Sequence, residues 1–120
     1  IMNKNDRGLL SQLTFSILLA LSLKPRHGYE LMQQIEHDSN GRLKLGPGAL
    51  YGSIKQLYED NFIEEVPSEV ENDRRRYYRL TKKGWDRLSA EMEYFENTVR
   101  LAKARHLLSN NPDGTAAWMI

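Results

Sequence analysis

The sequence predicts a mainly α-helical fold with a small β-hairpin, on three observations. Four stretches carry apolar residues at helical spacing. Two short runs of β-formers, Phe62–Val66 and Arg76–Leu80, bracket a polar loop. A closing stretch of roughly 25 residues repeats its apolar positions at alternating intervals of three and four, which is long for one helix of a small domain.

At 120 residues the chain is read as one domain with an appended helix, able to bury a modest core. It has no cysteine, hence neither a disulfide framework nor a thiolate metal site. Its three histidines, His27, His37 and His106, show no ligand spacing, so no metal or other cofactor is expected. The longest apolar run, Ile17–Leu21, is too short to span a bilayer. No secretory leader opens the chain, so a cytoplasmic protein without a membrane partner is expected. No nucleophile, base and orienting acid form a visible set, which argues against an enzyme and leaves no catalytic residue to name.

A net charge of +1 does not advertise a nucleic-acid binder, but its distribution does. Residues 59–73 carry seven acids and no base. Residues 74–87 carry seven bases and one acid. A basic cluster matters more than the total for a surface that meets phosphate.

Leu9 to Leu23 reads as a helix apolar nearly all round, which asks for cover on a second side and so for a partner subunit. Lys24-Pro25-Arg26-His27-Gly28 reads as a breaking turn. Tyr29 to His37 is the next helix, closed by Asp38-Ser39-Asn40-Gly41. Arg42-Leu43-Lys44-Leu45 alternates, as a short strand or an extended link would. A third helix starts at Pro47, where the missing N–H costs nothing, and runs to about Asp60. Asn61 suits the left-handed residue that follows a helix.

On that third helix Leu50, Ile54 and Leu57 form the core stripe. The opposite face carries Gly48, Gly52, Lys55 and Gln56, with Ala49 and Tyr51 on its flanks. Two glycines inside a helix cost roughly 0.5–1 kcal/mol each relative to Ala, which suggests close approach of something to the backbone. A major groove would account for it, with Lys55, Gln56 and Tyr51 as hydrogen-bonding groups. The bland alternative is an amphipathic helix with a poor outer face.

The hairpin completes the order helix, helix, strand, loop, strand, that of a winged helix-turn-helix. Arg74, Arg75 and Arg76 sit where the wing returns, and guanidinium forks suit both phosphates and a minor groove. The acids before them would pair with them when DNA is absent. The alternative is a solvated charged hairpin.

Thr81 can cap the last helix, although residue 84 is Gly and not the Glu of a capping box. Trp85, Leu88, Met92, Phe95, Val99, Ala102 and His106 form a heptad seam, read as dimerisation through Leu88, Met92, Phe95, Val99 and Ala102. Trp85 and Phe95 pack less tidily than aliphatics and could admit a flat small molecule. The expected organisation is a DNA-binding domain at residues 9–80, a dimerisation helix at 81–109, and a tail at 110–120 whose role the sequence leaves open.

The segments His27-Gly28-Tyr29-Glu30-Leu31, Gly46-Pro47-Gly48-Ala49-Leu50-Tyr51 and Arg76-Tyr77-Tyr78-Arg79-Leu80-Thr81-Lys82-Lys83-Gly84 together resemble the PadR family of bacterial transcriptional regulators, over about residues 9–108. The resemblance implies a homodimer that binds a (pseudo)palindromic operator in double-stranded DNA, usually to repress. It places Tyr29 and Tyr51 at the DNA face, Tyr29 as a phosphate contact. The single long last helix is similar to the short-tailed subfamily, in which helix aromatics line a pore for drugs and Phe95 holds a comparable place. That implies a small aromatic effector. Gly52 departs from the family, where many members have Pro, and the Pro112–Ile120 tail has no counterpart. Two rival readings remain. A winged helix used only to bind proteins would not shift a DNA duplex, and a small-molecule binder without DNA affinity would show ligand quenching of Trp85 or Trp118 alone.

Overall fold

The computed structural model describes residues 8–108, and the Pro112–Ile120 tail lies outside them. The elements are α1 (Gln12–Leu21), β1 (Arg26–His27), α2 (Gly28–Asp38), α3 (Pro47–Glu59), β2 (Ile63–Val66), β3 (Tyr77–Leu80) and α4 (Lys82–Ala104). The strands form one antiparallel sheet in the order β1-β3-β2. The chain divides into two compact units, one ending at Leu88 and one beginning at Ser89, and α4 runs through both. No helix among the described residues is long and apolar enough to cross a membrane.

The first unit closes on a core of Ile17, Leu18 and Leu21 from α1, Leu31 and Ile35 from α2, and Leu50, Ile54 and Leu57 from α3. Phe62, Ile63, Tyr78, Leu80 and Leu88 complete it. The i, i+4, i+7 stripe of α3 is thus the buried stripe expected. On β3 the alternation is direct, with Tyr78 and Leu80 buried and Arg79 between them exposed.

Local chemistry sets the helix ends. Ser11 caps α1 by accepting from the Thr14 N–H at 3.2 Å, so the helix starts later than Leu9. Pro47 opens α3 behind Gly46. Helices α2, α3 and α4 each end in a left-handed residue, Asn40, Asn61 and His106. The amide after each reaches back to the helix: Gly41 to the Glu36 carbonyl at 2.8 Å, Phe62 to Leu57 at 3.0 Å, and Leu107 to Ala102 at 2.7 Å. His106, expected on the heptad seam, therefore lies past the end of α4.

Of the two forms expected for Arg42–Leu45 the chain takes the link, without strand pairing, and Leu43 and Leu45 pack against the core. The turn at Lys24–Gly28 contains β1, whose Arg26 and His27 pair with Tyr78 and Tyr77. Arg26 is buried and its Nε donates to the Ala20 carbonyl near the end of α1 at 3.0 Å, where a cation suits the helix terminus. Thr81 does cap α4, accepting from the Gly84 N–H at 3.1 Å. Glycine stands at 84 because a Cβ there would lie 2.1 Å from the Phe62 carbonyl oxygen.

Candidate nucleic-acid interface

The outward face of α3 is bare. A Cβ added at Gly48 or Gly52 would meet nothing within 4 Å, so the protein's own packing does not call for either glycine. Ala49, Tyr51, Lys55 and Gln56 are exposed beside them. Gln56 is held lightly, its Nε2 donating to Asp60 Oδ2 at 3.1 Å.

Tyr51 leans from α3 onto the start of α2. A Cβ at Gly28 would lie 2.3 Å from the Tyr51 hydroxyl oxygen, so any other residue there would push the ring aside. Tyr29, the next residue along, is exposed. The first and second sequence motifs therefore meet in space at one helix N-terminus, a place that favours anions. His27 caps that helix, with its ring Nδ1 3.4 Å from the Glu30 N–H and the Glu30 carboxylate 3.4 Å from the His27 N–H.

The wing reaches the same region. Burial, then the charge of Glu65, pushes the Tyr78 phenol up, while Arg76 beside it pulls the other way and Tyr51 of α3 also acts on it. Arg76 makes a long contact to Glu65, 3.9 Å, and Arg74 is exposed. Arg79 pairs with Glu64 at 2.7 Å. The acids ahead of the arginines thus pair with some of them, as expected from their order.

Arg75 differs from both neighbours. Its Nε donates to Asp73 Oδ1 at 2.8 Å and its Nη2 to Asp73 Oδ2 at 2.9 Å. Its Nη1 lies 3.0 Å from Nε2 of His27. The Asp73 carboxylate, 5 % exposed, also accepts from the Arg75 backbone N–H at 3.0 Å, the Tyr77 hydroxyl at 2.8 Å and Ser68 Oγ at 2.9 Å. These bonds, the Arg75 side chain first, hold its carboxyl far below the ordinary carboxylate range. The same carboxylate pushes the Tyr77 phenol and the Arg75 guanidinium up. The Tyr77 ring in turn meets the His27 ring edge to face at 5.2 Å.

The sequence places Asp73 only among the acids that pair with the arginines, and gives His27, Ser68 and Tyr77 no part in that pairing. The spacing Asp73, Arg75, Tyr77 leading into β3 is the signal that could have found part of this group, since alternate residues of an extended chain share a side.

On α4, Leu88 is 5 % exposed and packs in the core of its own chain. Met92, Phe95 and Val99 are 38–42 % exposed, and Ala102 is half-buried. Trp85 and Phe95, the candidate ligand residues, are each exposed. A shallow depression on this helix is lined by Glu93, Glu96, Asn97 and Arg100, and neither aromatic borders it. Among the described residues no group of three or more His, Asp or Glu side chains could hold a metal ion.

Three helices on a three-stranded sheet, with a hairpin beside the exposed face of the third, define a winged-helix protein. Residues 17–90 match the PadR-like family of transcriptional regulators, and the chain belongs to that family, whose members are regulators and not enzymes. A PadR family transcription regulator from Clostridium difficile shares the fold with a TM-score of 0.66 and 23 % identity, over 78 % of this chain and 97 % of that one. RosR of H. salinarum aligns at 0.62 and 24 %, over 74 % and 76 %. A transcriptional regulator from Clostridium thermocellum aligns at 0.63 and 25 %, over 76 % and 89 %. An uncharacterized protein of Lysinibacillus sphaericus is 36 % identical over 71 residues, 58 % of this chain. An uncharacterized 37.1 kDa protein in transposon TN4556 of Streptomyces fradiae is 37 % identical over 90 residues, 75 % of this chain. The chain spans 65 % and 23 % of the lengths of these two relatives.

Proposed function

We propose that the protein is a homodimeric repressor that binds a (pseudo)palindromic operator and is released by a small aromatic ligand. The observation that carries this is the open face of α3, where two glycines have no packing reason. Gly48, Ala49, Tyr51, Gly52, Lys55 and Gln56 would face the major groove, and Tyr29 would meet phosphate. The run Arg74–Arg76 would bring the wing to the backbone. Met92, Phe95, Val99 and Ala102 would zip two subunits together, setting two recognition helices about one helical turn apart. Trp85 and Phe95 are the aromatic contacts for a ligand.

The test is a gel shift with duplex DNA from upstream of the protein's own gene, across a salt series and with candidate aromatic compounds. The expected result is a shifted band. If the dimer neutralises roughly 6–10 phosphates, log affinity falls with log salt at about −0.9 per phosphate. No shift at low salt overturns the DNA reading and leaves the protein-binding alternative. Quenching of Trp85 by ligand without any shift favours a small-molecule binder.

A further inference from the structure

We infer that Arg75 is a positioning residue of the wing and not one of its DNA contacts: with Asp73 it forms a latch that fixes the wing against the N-cap of α2. This rests on the DNA-binding reading above and divides the labour within Arg74–Arg76. Exposure alone would group the three, since the Arg75 side chain is 57 % exposed and that of Arg76 is 76 % exposed. Hydrogen bonding separates them. A guanidinium only donates, and the fork that would grip a phosphate is already closed on the two Asp73 oxygens. Its remaining terminal nitrogen meets His27. Arg76 makes a long contact to Glu65, which an exposed pair gives up readily, and stands beside the Tyr78 hydroxyl, so no carboxylate closes its fork.

The placement of Asp73 explains what the latch does. Ser68 stands at the start of the wing loop and Tyr77 is the first residue of β3, and both donate to the same carboxylate oxygen. Asp73 thus ties together the two ends of a loop that would otherwise hold many conformations. Arg75 then carries that closed loop to His27, the residue that starts α2 beside Tyr29 and Tyr51. With its charge matched by Asp73, Arg75 attracts phosphate weakly. Arg74 and Arg76 remain to meet it, on a loop held in one place.

The test uses opposite signs. Asp73→Asn removes an anion from a surface that meets DNA, so on charge alone binding strengthens. The latch requires it to weaken, by about tenfold, the fold-change equivalent of ordering roughly one residue's backbone. In gel shifts of the full chain, Arg75→Ala should weaken binding similarly with the salt slope unchanged. The double variant should bind no worse than Arg75→Ala. Arg74→Ala with Arg76→Ala should flatten the slope, by about 0.9 for each phosphate the wing no longer neutralises. Tighter binding by Asp73→Asn, or a flatter slope for Arg75→Ala, overturns the proposal. If the unaltered chain shifts no duplex, the DNA reading fails by itself. The latch is then decided by hydrogen exchange of the Arg75 amide, which donates to Asp73. Slow exchange that Asp73→Ala, which leaves no acceptor, makes fast supports it, and equal rates overturn it.

Discussion

The unit ending at Leu88 and the second half of α4 use the same kind of apolar pattern with opposite outcomes. In the first, the stripes of α1, α2 and α3 meet one another, and Leu18, Leu31 and Leu50 reach 0 % exposure. In the second, Met92, Phe95 and Val99 recur just as regularly and stay more than a third exposed. The periodicity is equally clear in both. What differs is whether the chain itself supplies the opposing surface. The proposed dimer would supply that surface from a second copy of the helix.

Substitutions can break or sharpen that contrast. Leu50→Ala empties a fully buried site and should cost about 2–5 kcal/mol, read as a lower denaturant midpoint. Phe95→Glu should leave the winged unit folded and abolish the dimer, losing roughly 1.5–3 kcal/mol of burial per side chain, seen as half the mass in sedimentation. A dimer that survives it would move the interface off this face. Gly84→Ala forces a methyl against the Phe62 carbonyl and should cost about 1–3 kcal/mol in a thermal melt.

Gly52→Ala reverses the sign. Nothing crowds a methyl there, so α3 should gain about 0.5–1 kcal/mol in stability. If the backbone approaches DNA closely, the same change should weaken operator binding. A variant both more stable and equally tight would remove the glycine argument.

The smallest effect near neutral pH comes from titrating Asp73. Its carboxyl is lowered in the folded protein, so its contribution is present above the ordinary value of 3.8 and fades as pH falls below it toward the folded-state value. The stability gap between the parent and Asp73→Asn should therefore be constant from pH 7 to pH 5 and shrink in stronger acid. A gap that closes already between pH 7 and pH 5 would assign the stabilisation to another group.

Much of the fold was legible because its signals are local. Pro47 and Asn61 bracket α3 by their own backbone preferences, and Thr81 starts α4 with its own hydroxyl. The bare glycine face could be read from spacing alone, because helical geometry fixes which residues share a side. The sequence by itself therefore determined the elements, the buried stripe of α3 and the open face opposite it. Tertiary structure alone decided the rest. Arg26 and His27 are a strand only because Tyr77 and Tyr78 lie beside them. Gly28 matters because the Tyr51 ring lies on it. Arg75 parts from Arg74 and Arg76 through Asp73 and His27, the latter 48 positions away, and Leu88 leaves the α4 seam for the core. Backbone preference and periodicity belong to neighbours in the chain. A strand pairing, a close approach or a hydrogen-bond partner drawn from a distant segment exists only after the chain has closed on itself.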